Sequence, residues 1–564
     1  MIRASLVILA VAASALGEDV ISTTYGKVQG STATSRDGIT YHQFLGIPYA
    51  KAGRFEAPTQ PDAWTDVKDA TKFGQICPQS EVHLEASKEP KKIFGSEDCL
   101  NLNVFTPKVP KADEAKVLLP VVVWFHGGGG DIDGAVNYDA KYLIDNNIVL
   151  VTFNARTGPF GFLNLGDERA SGNQRLKDEH KVLEFIRDNI ENFGGDKDRV
   201  TLAGQHSGAA EVQYHIISPK SKGLFHNAIS QGGSAISAWY FVRDPLHHAK
   251  LYGQQVGCPT GSKDELLTCL KGKKTEDLVT LYHRWFEVTD SEFVKFAPSI
   301  EHIDADKAFL TENPYVSLSQ GKINKVPWIT GVQLYEGLVP TVMKALRDPE
   351  MLEQINTNFP SIASHMLDYD KTATDPAEVS KKLAEYYFPE KLKADQENKL
   401  ALADLAADRL FFRPALLGAI LHSKVAPTYT YVISHSPKSS SQDILKFKPK
   451  LPGAHGDEVS CEFPWKVYGY SGIDKDSEDY PFSKNLLALF TSFAENGKPT
   501  KTWGPNKNWE KFDPAKSPVS LYQLDKETSD FVLPEPMAKR HEFWATLFSK
   551  ELKSELENPP KETF

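Results

Sequence analysis

Two glycine-rich turns carry the residues whose types and spacing point to chemistry. The first, His126-Gly127-Gly128-Gly129-Gly130, follows the apolar run that ends at Phe125. Glycines at a strand end let the backbone approach a ligand and aim N–H groups into a pocket, as stabilising an oxyanion requires. A bare glycine run is also, more simply, a flexible turn. The second, Gly204-Gln205-His206-Ser207-Gly208, lies between the run Val200 to Ala203 and a helical start at Ala209. Strand, sharp turn with glycine at its first and fifth positions, then helix is the layout of the nucleophile elbow G-x-S-x-G, whose central serine attacks an acyl carbon. Here the central residue is His206, and Ser207 stands one place later.

Both turns need strands to hold them. Val117 to Phe125 and Ile148 to Asn154 are nearly unbroken β-rich apolar runs, as expected of strands buried on both faces of a parallel sheet. Val200 to Gly204, His226 to Gly233 and Val326 to Val332 repeat the pattern. Leu176, Val182, Leu183, Phe185, Ile186, Ile190 and Phe193 recur at helical spacing, and Gly194-Gly195 supplies the stop. The reading is α/β, with a mostly parallel central sheet and helices on both faces. In such sheets ligands bind outside the carboxyl ends of the strands, where both glycine turns fall. From Pro340 to about Val425 charged helical segments predict a helical region over the pocket, and Thr428 to Ser434 returns to strand.

The 564 residues are 41% hydrophobic and 24% charged, which excludes a disordered, collagen-like or coiled-coil chain. Sixty-four Lys and Arg against 74 Asp and Glu give a net charge of −10, so neither nucleic acid nor an anionic membrane is an expected partner. Arg3, the apolar run Leu6 to Ala13 and the small-residue end Ala15-Leu16-Gly17 read as a signal peptide over residues 1–17. No later run reaches the length of a membrane anchor, so the chain is expected to be secreted and extracellular. Five cysteines in that compartment allow two disulfides, and spacing pairs Cys77 with Cys99 and Cys258 with Cys269, leaving Cys461.

Several segments occur in order along almost the whole chain: FLGIPYA (Phe44 to Ala50), SEDCLNLNVFTP (Ser96 to Pro107), PVVVWFHGGG, NIENFGGD (Asn189 to Asp196), VTLAGQHSGAA, GVQLYEG (Gly331 to Gly337) and AHGDE (Ala454 to Glu458). With these the chain resembles the type-B carboxylesterase/cholinesterase family of α/β-hydrolases. The resemblance implies an α/β-hydrolase fold as a single domain over residues 18–564. It implies an oxyanion hole from Gly128, Gly129 and the N–H of Ser207, a triad acid at Glu336 and a triad base at His455. Cys77–Cys99 and Cys258–Cys269 fall where the family forms disulfides.

The departures carry more information than the agreements. At the nucleophile position the family has serine followed by a small residue, and this chain has His206 followed by Ser207. The flanks fit without a gap, so Ser207 takes the neighbouring slot, with its side chain away from the pocket and its N–H toward it. Gly232 stands where the family usually has a serine near the triad acid. No Trp lies between Cys77 and Cys99, where cholinesterases hold a quaternary ammonium group, so choline esters are not expected ligands.

Loss of a serine nucleophile costs on the order of 10⁶ in rate, leaving roughly 10³ to 10⁴ over water from the oxyanion hole and binding. An imidazole reaches further than Oγ, so its nitrogen would not sit where Gly128 and Gly129 aim. The expectation is therefore a secreted family member without normal ester hydrolysis, acting as a binding, storage or structural protein. An apolar, ester-like small molecule is the expected ligand. The alternative is a slow ester hydrolase that uses His206 or Ser207 with His455 and Glu336. No cofactor is expected, and no metal either, because with Glu336 behind His455 only two imidazoles would face the pocket. Those two imidazoles imply a pocket sensitive to pH between 5 and 8. His126 is expected to pack under the glycine turn, and Cys461 to be a small buried apolar residue.

Overall fold

The computed structural model describes residues 20–80, 92–111, 117–279, 295–390, 394, 398, 400–465, 472–499, 508–525, 531–532 and 535–550. The expected signal peptide at residues 1–17 lies outside them.

The described residues build an eleven-stranded sheet. In chain order its strands are β1 (Ser31–Thr34), β2 (Thr40–Pro48), β3 (Asn101–Thr106), β4 (Leu119–Phe125), β5 (Val149–Phe153), β6 (Gly195–Gln205), β7 (Asn227–Gln231), β8 (Trp328–Gln333), β9 (Thr428–Ile433), β10 (Leu521–Leu524) and β11 (Phe531–Val532). Their spatial order is β11-β10-β9-β8-β7-β6-β4-β5-β3-β2-β1. The neighbours from β5 through β10 pair parallel. Antiparallel strands close both edges.

Alternate residues of the central strands feed different layers, as the two-residue period of a strand requires. Val121, Val123 and Phe125 of β4 join Leu202 and Trp328 on one face. There they meet α1 (Gln174–Asn189) and α2 (Ser207–Ile217) through Val182, Phe185, Ile186, Val212 and Ile216. Val122 and Trp124 point to the other face with Ile229, Ile329 and Tyr431, against Leu486, Leu489 and Phe493 of the helix Tyr480–Asn496. The continuous hydrophobicity that predicted double burial is thus the sum of two interleaved faces. The helical stop forms as expected: Gly194 caps the end of the 3-10 turn Ile190–Phe193 with φ 87°, a left-handed conformation that favours glycine.

Between β8 and β9 the chain forms the expected helical region, from Pro340–Arg347 through Arg413–Ser423. It has an apolar core of its own that includes Met343, Leu346, Ile355, Leu383 and Leu405, closed by Trp544 and Leu547 near the C-terminus. Disulfides join Cys77 to Cys99 and Cys258 to Cys269. Cys461 is buried with a free thiol, and burial pushes its pKa well up.

Register sets the place of the site. Phe125 pairs with Gly204, Gln205 with Gln231, and Gln231 with Gly331. The turns that follow β4, β6, β7 and β8 therefore emerge side by side at the carboxyl edge of the sheet.

Candidate active site

β6 turns into α2 through His206, whose backbone has φ 57° and ψ −118°. A non-glycine residue at positive φ costs on the order of 1–3 kcal/mol and persists only where its surroundings enforce it. Two glycines do the enforcing. A Cβ on Gly208 would lie 2.0 Å from the Phe125 carbonyl oxygen, and one on Gly204 would lie 2.6 Å from Gly208. Strand, turn and helix thus close onto β4 with no room for larger residues. The His206 N–H donates to the Gln231 carbonyl at 2.9 Å, fastening the apex to β7.

The imidazole held at that apex is half-buried. It stacks on Trp239, with ring centroids 4.4 Å apart and planes 16° apart, and meets the His455 ring edge-on at 4.8 Å. Phe411 closes a third side at 6.1 Å. Burial, with His455 as a smaller cause, pushes the His206 pKa well below the ordinary 6.5, so the ring is neutral at physiological pH. Ser207 is the first residue of α2 and is fully buried; its Oγ has no hydrogen-bond partner among the described residues.

Glu336 lies in the turn after β8 and is fully buried. Its Oε2 accepts the N–H of Gln333, and its Oε1 accepts from Nδ1 of His455. That bond puts the His455 proton on Nδ1 and leaves Nε2 as an acceptor on the side of His206. The Gln205 amide approaches Nε2 at 3.4 Å. Tyr335 N–H donates to Gly453 O at 2.8 Å and ties the two loops together, and within the second loop Asp457 accepts from Ala454 N–H at 3.1 Å. At Gly232, φ is 61° and a Cβ would lie 2.6 Å from Glu336 Oε1. The carboxylate occupies the space that a side chain at position 232 would take.

In the turn after β4, Gly128, Gly129 and Gly130 have φ of 90°, 71° and 78°. A Cβ on Gly128 would lie 2.4 Å from the Ile132 carbonyl oxygen. The N–H groups of Gly128, Gly129 and Ser207 donate to no acceptor among the described residues. Gly127 adjoins the apex, since a Cβ there would stand 3.3 Å from that of His206. His126 packs beneath the turn, 2% exposed, with its pKa lowered to about 3 by burial.

The structure therefore gathers His206, His455, Glu336 and the glycine turn in one place. Sequence reasoning missed Trp239 and Phe411, which wall the imidazole, and Gln205, which faces His455. Trp239 follows Gly232 by seven residues in an otherwise plain loop, so only the fold reveals it. Phe411 is carried by one turn of π-helix, Asp408–Phe412, and such turns are frequent at functional sites. Chemically, a carboxylate-oriented imidazole beside unused N–H donors is equipped for acyl transfer. The residue at the apex, however, has no hydroxyl.

Comparisons with known proteins agree with this geometry. The carboxylic ester hydrolase of Bombus ignitus is 31% identical over 504 residues, 88% of each chain. The juvenile hormone esterase of Tribolium castaneum is 32% identical over 512 residues, 87% of this chain and 85% of that one. The liver carboxylesterase of Sus scrofa is 30% identical over 569 residues, covering 96% and 94%. The sequence pattern of the carboxylesterase family matches residues 17–544, and this chain belongs to that family, with its α/β-hydrolase fold.

Proposed function

We propose that this chain is a non-hydrolytic member of the carboxylesterase family that uses the pocket at His206 to bind an apolar, ester-like small molecule. The observation that carries this reading is the neutral imidazole at the elbow apex, packed on Trp239 where a nucleophile's hydroxyl would stand. An imidazole reaches further than a serine Oγ, so its nitrogen does not sit where Gly128 and Gly129 aim, and the apex carries no hydroxyl for His455 to deprotonate. The buried Oγ of Ser207 speaks against a shifted nucleophile, because reaching the pocket would mean remodelling a turn locked by Gly204 and Gly208. In this reading Gly128, Gly129 and the Ser207 N–H bind the ligand carbonyl, and Glu336 and His455 line the base of the pocket as a hydrogen-bonded pair.

A second reading rests on that same pair. The Glu336–His455 bond and the unused N–H donors fit a slow ester hydrolase in which His206 takes the acyl group. An organophosphate separates the two. Mass spectrometry is expected to find no adduct on the wild type and one adduct on His206→Ser; an adduct on wild-type Ser207 or His206 overturns the binding reading.

The chain is further read as secreted, with a leader over residues 1–17 and a single domain from residue 18. Two disulfides support export. Among the described residues, no helix is long and apolar enough to cross a membrane. Sequencing of the mature protein is expected to begin at Glu18, and an N-terminus at Met1 would refute the leader.

A further inference from the structure

The short segment that carries Trp239 borders a cavity of about 320 Å³, in whose walls neither Trp239 nor His206 takes part. Ligand sites generally measure roughly 300–1,000 Å³, with apolar walls and a few convergent polar groups. This cavity has that make-up. Ile236, Phe241, Val242, Pro414 and Leu417 supply apolar wall.

Four cationic side chains, Arg243, Lys295, Lys371 and Arg413, line it against the three carboxylates of Asp244, Asp368 and Asp370. Carboxylates and cations alike have partners within the protein, and the cations outnumber the carboxylates by one. Asp368 pairs with Lys295 at 2.8 Å, and Asp370 lies 3.3 Å from the His365 imidazole. Asp244 caps the helix Pro245–Gln255 by accepting the His247 N–H at 2.9 Å. His247, His248 and His365 also line the cavity. A further sign of a missing occupant is Ser237. Its hydroxyl is fully buried in the wall and has no hydrogen-bond partner among the described residues. Buried hydroxyls in folded proteins are normally bonded, and this one keeps an unspent donor beside the cavity.

We propose that this cavity is a second ligand site, for an amphipathic organic anion. The carboxylate lies among Arg243, Lys371, Arg413 and the Ser237 hydroxyl, and a short apolar tail lies on Ile236, Phe241 and Leu417. The proposal stands apart from the His206 pocket and does not depend on whether that pocket hydrolyses esters.

The test is calorimetric titration of the full chain at pH 7 with octanoate, beside 1-octanol and octylammonium. One octanoate is expected per chain, with the alcohol and the amine at least tenfold weaker. The double variant Arg243→Gln/Lys371→Gln is expected to weaken octanoate at least tenfold, whereas His206→Trp, which fills the neighbouring pocket, leaves it unchanged. Lys371→Glu, at an exposed position, keeps the test sound if the double variant does not fold, and is expected to weaken octanoate in the same direction. Absence of octanoate binding, or equal binding of octanoate and octanol, overturns the proposal. So does a loss of binding in His206→Trp with none in the charge variants, which would place the anion beside His206.

Discussion

Replacing His206 by serine should create an esterase. The substitution removes an imidazole that stacks on Trp239 at 4.4 Å and leaves a hydroxyl at an apex whose backbone is already held at φ 57°. The stack contributes about 0.5–1.5 kcal/mol beyond its buried area, so the variant is expected to stay folded with a modest fall in Tm. On the other side, a serine nucleophile accounts for a factor on the order of 10⁶, or about 8 kcal/mol of barrier at 1.36 kcal/mol per decade. Not all of this returns. The Gln205 amide at 3.4 Å from His455 Nε2 competes for the position that the new hydroxyl needs, and displacing such a bond costs about 1 kcal/mol. The trimmed pocket also leaves a void where the ring stood. Allowing half of the barrier for misplacement, kcat/KM toward p-nitrophenyl butyrate is expected to rise by at least about 10³. Initial rates of wild type, His206→Ser and His206→Ser/His455→Ala decide the matter. A folded His206→Ser no faster than wild type, or a double variant that keeps the gain, would refute the assignment of Glu336, His455 and the glycine turn as acyl-transfer machinery.

Three further outcomes follow from the same geometry. Burial lifts the Glu462 carboxyl to about 8, while Gln231 donates to it at 2.6 Å. Its folded pKa lies above the unfolded one, so the contribution of the neutral form is complete below about 4.5 and is lost as pH rises through 8, a swing of at most about 5 kcal/mol. Glu462→Gln, which keeps the acceptor, is expected to match wild-type Tm at pH 5 and to exceed it increasingly toward pH 9; a constant difference would contradict the buried neutral acid. Gly208→Ala places a Cβ 2.0 Å from the Phe125 carbonyl oxygen and is expected to cost about 3 kcal/mol or more, seen as a large drop in Tm or insoluble expression. An unchanged Tm would mean the elbow is not packed as described. Nitrogen NMR of selectively labelled histidine is expected to show the His206 midpoint well below 6.5, and a midpoint near 6.5 would contradict its burial.

Local patterns made most of the scaffold legible. Unbroken runs such as Val149 to Phe153 signalled strands covered on both faces, and Gly194 marked the end of a helix because only its φ of 87° suits the cap. The glycine spacing around His206 encoded a turn because two close backbone approaches admit nothing larger. What stayed hidden depends on contacts between distant segments. Trp239 and Phe411 are separated by more than a hundred residues and meet only around the imidazole. From sequence, Gly232 marks only the absence of a serine that the family usually has near Glu336. The structure adds that the carboxylate fills the space a side chain at 232 would occupy. Of the two imidazoles expected to sense pH, His206 is biased toward its neutral form by burial. The cavity of about 320 Å³ could not be foreseen, because its cations come from four separate stretches of chain.

The most direct test of the central claim is hydrolysis of short and medium acyl p-nitrophenyl esters by purified wild type beside His455→Ala. Both proteins are expected at the same background rate, because position 206 carries no hydroxyl for His455 to deprotonate. Turnover by the wild type that disappears in His455→Ala would contradict it and would make this chain a working esterase.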